Sequence, residues 1–175
     1  VLLDIDPSAK PDIVCDARKL HSLEPAQFDA VYCSHNLEHY HKHDGAQVLR
    51  GFVHVLKAEG FAQFRVPDLR SVMRKFVADE MDLEDVLYVS PAGPITVRDV
   101  IYGWGKKIEQ SGEDFFAHKT GFTATTLRAE LRTAGFSRIV TVEDGKRFEI
   151  AALAFKGEPT QFQRELLDLW RGKTG

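Results

Sequence analysis

Between Phe28 and Asp68 the chain runs strand, polar loop, helix, strand, and no other stretch limits its fold as tightly. Phe28-Asp29-Ala30-Val31-Tyr32-Cys33-Ser34 has the length and apolar content of a buried strand, and His35 to His43 is a polar, histidine-rich loop. Leu49, Phe52, Val53 and Leu56 then recur at i, i+3, i+4 and i+7, which predicts one apolar helix face with Asp44 as N-cap and a stop near Gly60. Phe61 to Val66 reads as the next strand, ending at Pro67-Asp68. In open α/β sheets ligands gather outside the carboxyl ends of the strands, so the polar residues after Ser34 and after Val66 lie where chemistry is expected.

The flanks extend the same architecture. Val1 to Ile5 and Ile13 to Cys15 are short apolar runs separated by a proline turn, which puts Asp4 and Asp16 at strand ends. Leu69 to Met81 has helical spacing, and residues 69–120 as a whole mix Pro, Gly and aromatics in the manner of an insertion or lid. Thr123 caps a helix whose Leu127, Leu131 and Ala134 share a face, with Gly135 as its left-handed stop. Arg138 to Val142 and Phe148 to Phe155 form a hairpin through Asp144-Gly145, and Phe162, Leu166, Leu169 and Trp170 make a last amphipathic helix. The expected fold is α/β, with a Rossmann-like, mostly parallel sheet, flanking helices and a C-terminal antiparallel hairpin. It comprises one domain over 1–156 and a terminal helix within 157–175.

Composition excludes several functions. A net charge of -3 with interspersed signs offers no broad positive field, so no nucleic-acid partner is expected. No apolar run approaches the roughly 20 residues of a membrane span. Cys15 and Cys33 each sit in an apolar strand-like run and read as buried thiols of a reducing compartment, the cytoplasm. Val1-Leu2-Leu3 lacks a signal-peptide pattern and reads as a start in mid-domain.

Asp4, Asp16-Ala17, the Phe28 strand leading to Ser34-His35-Asn36-Leu37-Glu38-His39, Val55-Leu56-Lys57-Ala58-Glu59-Gly60 and Val66-Pro67-Asp68 together resemble class I S-adenosylmethionine-dependent methyltransferases of the type 11 branch. His118-Lys119-Thr120-Gly121-Phe122 and Ala134-Gly135-Phe136 look like the C-terminal part of small bacterial members, some associated with surface-polysaccharide genes. The resemblance implies S-adenosyl-L-methionine as cofactor and a small-molecule or saccharide acceptor. It places the ribose contact on Asp4, with Asp6 as competitor, the adenine amino contact on Asp16, and a ring-nitrogen contact on the Ala17 N–H. Ser34 would lie against the cofactor, and Asn36, His39 and, under a closed lid, His118 would lie near the acceptor. His35 is the best-placed base, because proton removal from a hydroxyl suits a group that titrates near neutrality. Glu38 and His39 otherwise fix the loop to the following helix.

Two departures accompany the likeness. The Val55 to Gly60 turn lacks the family's Pro and one of its glycines. The family's first strand and glycine-rich loop should precede Val1 and are missing from the sequence. The expectation is truncation; a chain folding as it stands must pair its Val1 and Phe28 strands directly or recruit an edge from another copy, as a homo-oligomer. The alternatives are a non-catalytic interaction module and a zinc hydrolase, because His35-Asn36-Leu37-Glu38-His39 spells H-x-x-E-H. No metal is expected under the methyltransferase reading.

Overall fold

The computed structural model describes residues 1–91 and 93–172. β1 (Leu3–Asp4) and β2 (Ile13–Val14) form a short parallel ladder, Leu3 opposite Ile13. β3 (Phe28–Ser34) leads through the polar loop into α1 (Lys42–Val55) and back through β4 (Leu56–Pro67), which pairs with β3 in parallel, Ser34 opposite Arg65. α2 (Leu69–Ala78) leaves the tip of β4, capped by Asp68, whose carboxylate accepts the Arg70 N–H. β5 (Val86–Ser90) and β6 (Gly93–Thr96) make a separate antiparallel hairpin, followed by α3 (Val97–Tyr102) and α4 (Gly105–Ser111). α5 (Ala124–Ala134) then leads to the hairpin of β7 (Arg138–Asp144) and β8 (Glu149–Phe155). α6 (Gln161–Gly172) follows, and the apolar face predicted through Leu166, Leu169 and Trp170 lies outside the side chains described.

β8 enters antiparallel beside β4, giving the order β3-β4-β8-β7. The main sheet is therefore mixed: β3 and β4 are parallel, and the terminal hairpin contributes the antiparallel half. β1 and β2 stand in a sheet of their own. The direct pairing of β1 with β3 expected of a chain lacking an intervening strand does not occur.

The core lies between the sheet and the helices α1 and α5. Val48, Leu49 and Val55 of α1 and Leu127 and Leu131 of α5 are fully buried against Ala62, Phe64 and Val66 of β4. Phe64 meets Phe136 edge-on with 6.0 Å between ring centroids, a favoured aromatic geometry. Burying each such side chain contributes about 1.5–3 kcal/mol, so this slab dominates the rigidity of the strand tips above it. Residues 69–120 gather a second apolar cluster around Val72, Leu87, Val97 and Val100, which Phe148 from the β7–β8 turn joins.

The helix after β3 departs from expectation at both ends. Its N-cap is His41, and Asp44 stands in the first turn, where a carboxylate still favours the positive end of the helix dipole. It stops at Val55, so Leu56 is a strand residue, and Lys57 to Gly60 form a bulge: pairing passes from Phe28 opposite Leu56 to Ala30 opposite Phe61. The capping box of Thr123 and the left-handed Gly135 (φ 115°) agree with the sequence reading of α5.

Candidate functional site

The polar tip of β3 continues the ladder by one bond, His35 N–H to Arg65 O at 2.9 Å, and then turns sharply. His35 adopts φ 48°, a left-handed conformation uncommon outside glycine and seen often at functional sites. Leu37–His39 is one 3-10 turn. Two zinc ligands four residues apart need a shared helical face, and this turn supplies none, so H-x-x-E-H does not take its peptidase geometry here.

His35 stands between two carboxylates. Its Nε2 lies 3.3 Å from Glu149 Oε1 and its Nδ1 3.4 Å from Glu38 Oε1. Arg65 holds the far oxygen of Glu149 at 2.8 Å. The hydrogen bond to Glu149, followed by the influence of Glu38, pushes His35 up from 6.5 to about 10. Correspondingly, His35 and then Arg65 hold Glu149 below the ordinary carboxylate range, against the opposing effect of burial. At neutral pH His35 is thus an imidazolium, which donates protons in hydrogen bonds and has no free lone pair. The role of a resting base, expected from the sequence, is not the one this geometry gives it.

Two cavities adjoin this tip. The first, about 330 Å³, runs between β1 and β3 and is lined by Asp4, Ala17, Ser34 and Asn36 with apolar walls from Phe28 and Val31. Three of the four residues expected against the cofactor therefore share one crevice. One Asp4 oxygen accepts the Asp6 N–H at 2.9 Å, and the other accepts no hydrogen bond among the described residues. Asp16 is the fourth, and its carboxylate is occupied elsewhere: it caps the 3-10 helix Ala17–Ser22 through the Arg18 N–H and grips the Arg18 guanidinium at 2.7 Å. Cys15, not Asp16, lines the cavity beside Ala17. Asp6 likewise spends its carboxylate on the Ser8 N–H and hydroxyl.

The second cavity, about 630 Å³, lies between the strand tips and residues 69–120, with His35, Glu38, Tyr88, Trp104, His118 and Glu149 on its walls. Of the other two residues expected near the acceptor, His118 lines this cavity and His39 does not, although the two rings stand edge-to-face with 5.0 Å between centroids. His39 Nδ1 donates to the Ala117 carbonyl at 3.1 Å and His118 Nδ1 to the Val100 carbonyl at 2.8 Å. Burial pushes the His118 imidazole below its usual range, which keeps it neutral. Glu38 is 1% exposed, and neither carboxylate oxygen accepts a hydrogen bond.

Sequence reasoning missed Glu149 and Arg65. The signal for Glu149 was present, since it is the one acid in the otherwise apolar run from Phe148 to Phe155. Arg65 interrupts Phe61 to Val66 in the same way.

The family model for the methyltransferase domain matches residues 5–64, which bears out the type 11 resemblance. A SAM-dependent methyltransferase from Archaeoglobus fulgidus is similar at 15% identity, with 88% of this chain and 74% of that one covered at a TM-score of 0.52. A 1,6-didemethyltoxoflavin-N1-methyltransferase from Burkholderia thailandensis, solved with its substrate and S-adenosylhomocysteine, aligns at 17% identity, 89% and 60% coverage and a TM-score of 0.50. A possible exported protein from Bordetella parapertussis aligns at 17% identity over 89% of this chain with a TM-score of 0.52, and this chain spans 52% of its length. These likenesses establish the fold. No curated protein matches the chain in sequence.

Proposed function

We propose that the protein containing this chain is an S-adenosyl-L-methionine-dependent methyltransferase whose acceptor is a small molecule or saccharide. One observation carries the reading: the β3 tip is a wall shared by two cavities, with Ser34 and Asn36 on one and His35 on the other. Methyl transfer needs a donor and an acceptor held in line on either side of one point, and this arrangement provides two such chambers. The first cavity takes the nucleoside, with the free oxygen of Asp4 accepting from the ribose hydroxyls, the Ala17 backbone beside the base and Ser34 beside the methionine part. The second takes the acceptor. In this reading Asn36, from the first cavity, His118, from the second, and His39, against the His118 ring, contact the acceptor.

When bound, the cofactor supplies an electrophilic methyl group on a sulfonium. The chain's own part is to orient it, exclude water and set the charge around the acceptor. His35, held as a cation by Glu38 and Glu149, acts as a hydrogen-bond donor to an acceptor oxygen and fixes its position. Residues 69–120 serve as the lid of the second chamber. No helix of the described residues is long and apolar enough to cross a membrane. The two free cysteines, Cys15 and Cys33, suit a reducing cytoplasm.

The test is calorimetric titration of S-adenosylhomocysteine into the full-length protein. Stoichiometric binding with micromolar or tighter affinity is the expected result. A folded protein that takes up no S-adenosylhomocysteine refutes the enzyme reading and leaves the methyltransferase-fold interaction module.

A further inference from the structure

We propose that Glu38, His39 and His118 form a binding site for a divalent transition-metal ion beside the second cavity, which Glu38 and His118 line. One ligand atom from each lies within 4.8 Å of the others, a little wider than the span of up to about 4.2 Å across a zinc-sized ion. The set of one carboxylate and two imidazoles is borderline in softness. It suits Zn²⁺, Mn²⁺, Fe²⁺ or Co²⁺ better than Mg²⁺ or Ca²⁺, which prefer oxygen throughout.

Two independent observations point to a missing cation. The first is the Glu38 carboxylate: buried carboxylates are rare unless charges or donors surround them, yet both of its oxygens go without a hydrogen bond. The His35 cation stands 3.4 Å from Oε1, and Oε2 has neither an ion pair nor a hydrogen bond among the described residues. The second is the orientation of the two histidines. Each commits Nδ1–H to a backbone carbonyl, Ala117 or Val100, which fixes the tautomer and leaves Nε2 as the nitrogen with a free lone pair. A carbonyl behind the imidazole is the usual outer support of a metal-binding histidine.

The site is also stitched together by the main chain. The Glu38 carbonyl accepts the N–H groups of Lys119 at 2.7 Å and Thr120 at 3.2 Å, so the turn carrying Glu38 and His39 is bonded directly to the segment carrying His118. Gly103 locks that segment in turn, because its N–H bonds Asp99 O and its Cα faces the Phe116 carbonyl so closely that an added Cβ would stand 2.0 Å away. Residues 80 positions apart are thus held in register before any ion arrives, as a specific site requires.

With three protein ligands the ion keeps open positions. Glu38 and His118 line the second cavity, so those positions are open to an oxygen-rich acceptor such as a vicinal diol. That last role rests on the methyl-transfer reading, while binding of the ion does not.

The experiment uses Co²⁺ with the full-length protein, first stripped with chelator, in the absence of S-adenosyl compounds. One Co²⁺ per chain should bind and give visible ligand-field absorption, and Zn²⁺ should displace it. Glu38→Gln and His118→Ala should each weaken binding more than about 100-fold, above the 10–100-fold lost with outer-shell partners. His41→Ala with His43→Ala, which removes two stacked histidines at the start of α1 outside the trio, should leave it unchanged. Should Glu38→Gln unfold the protein, the His118→Ala variant and the wild-type stoichiometry decide alone. The proposal is overturned if folded wild-type protein takes up no stoichiometric Co²⁺, or if uptake survives both trio substitutions or vanishes with the loop pair. S-adenosylhomocysteine binding, measured separately, reports on the methyltransferase reading without touching this one.

Discussion

Asp4 and Asp16 both end short strands, yet their substitution by alanine should have opposite consequences. Asp4 lines the first cavity and has given only one oxygen to a local bond, the Asp6 N–H. Under the proposed function its second oxygen accepts from a ribose hydroxyl. Hydrogen bonds to a charged group contribute about 1.5–3 kcal/mol, so Asp4→Ala should weaken S-adenosylhomocysteine by roughly 10- to 150-fold. Asp16 spends both oxygens on Arg18 and on the cap of Ala17–Ser22. Losing an N-cap costs about 1 kcal/mol of stability, and with the Arg18 side chain 43% exposed the ion pair adds less than about 1 kcal/mol more. The Asp16→Ala penalty should therefore appear as a melting point lowered by about 2–8 °C, with affinity changed less than about threefold. Calorimetric titration and thermal unfolding of both variants separate the two effects. Equal loss of affinity in the two, or intact affinity in Asp4→Ala, would refute the assignment of Asp4 to the cofactor.

Two further outcomes follow from the geometry. In chelator-treated protein, imidazole NMR should find His35 protonated well above pH 8, and Glu149→Gln, which removes the largest cause, should lower its midpoint by more than about one pH unit. Because its folded pKa is raised from 6.5 to about 10, its contribution to stability is complete below 6.5 and disappears as pH climbs through 10; a midpoint near 6.5 in the wild type would show the carboxylate clamp is absent. Gly103→Ala forces a Cβ at φ 93° against the Phe116 carbonyl and should cost about 2–5 kcal/mol, while Gly105→Ala, with nothing within 4 Å, should be neutral or stabilising. Chemical denaturation distinguishes them, and equal stability of the two variants would contradict the close approach at Gly103.

What could be read from the sequence follows the range of the interactions involved. The α5 cap and the strand before α1 are set by neighbours a few residues apart and appeared where spacing and capping chemistry put them. β7, by contrast, runs on through Asp144, its hairpin turns over residues 145–148, and β4 starts at Leu56 rather than Phe61. The end of α1 was not legible, because Leu56 satisfies both a helical period and a strand edge, and only its pairing with Phe28 decides between them. The hairpin of β5 and β6 was hidden in a segment whose Pro and Gly content masks alternation. At the site, strand-end residues were identifiable because topology puts them at tips. The state of His35 was not, since the carboxylate that fixes it arrives from Glu149, 114 residues away. Asp16 shows the converse: a residue correctly placed at a strand tip is removed from the crevice by Arg18, two positions on.

Ser34 and Asn36 line the first cavity, and His35, in the left-handed turn between them, lines the second. The left-handed turn at His35 ends the strand at that point, and Glu38, in the 3-10 turn that follows, also lines the second cavity. The backbone bonds from Lys119 and Thr120 to Glu38 then tie the insertion to the same turn. Under the proposed function, the tip that separates the cofactor and acceptor cavities is thus anchored to residues 69–120 by main-chain bonds.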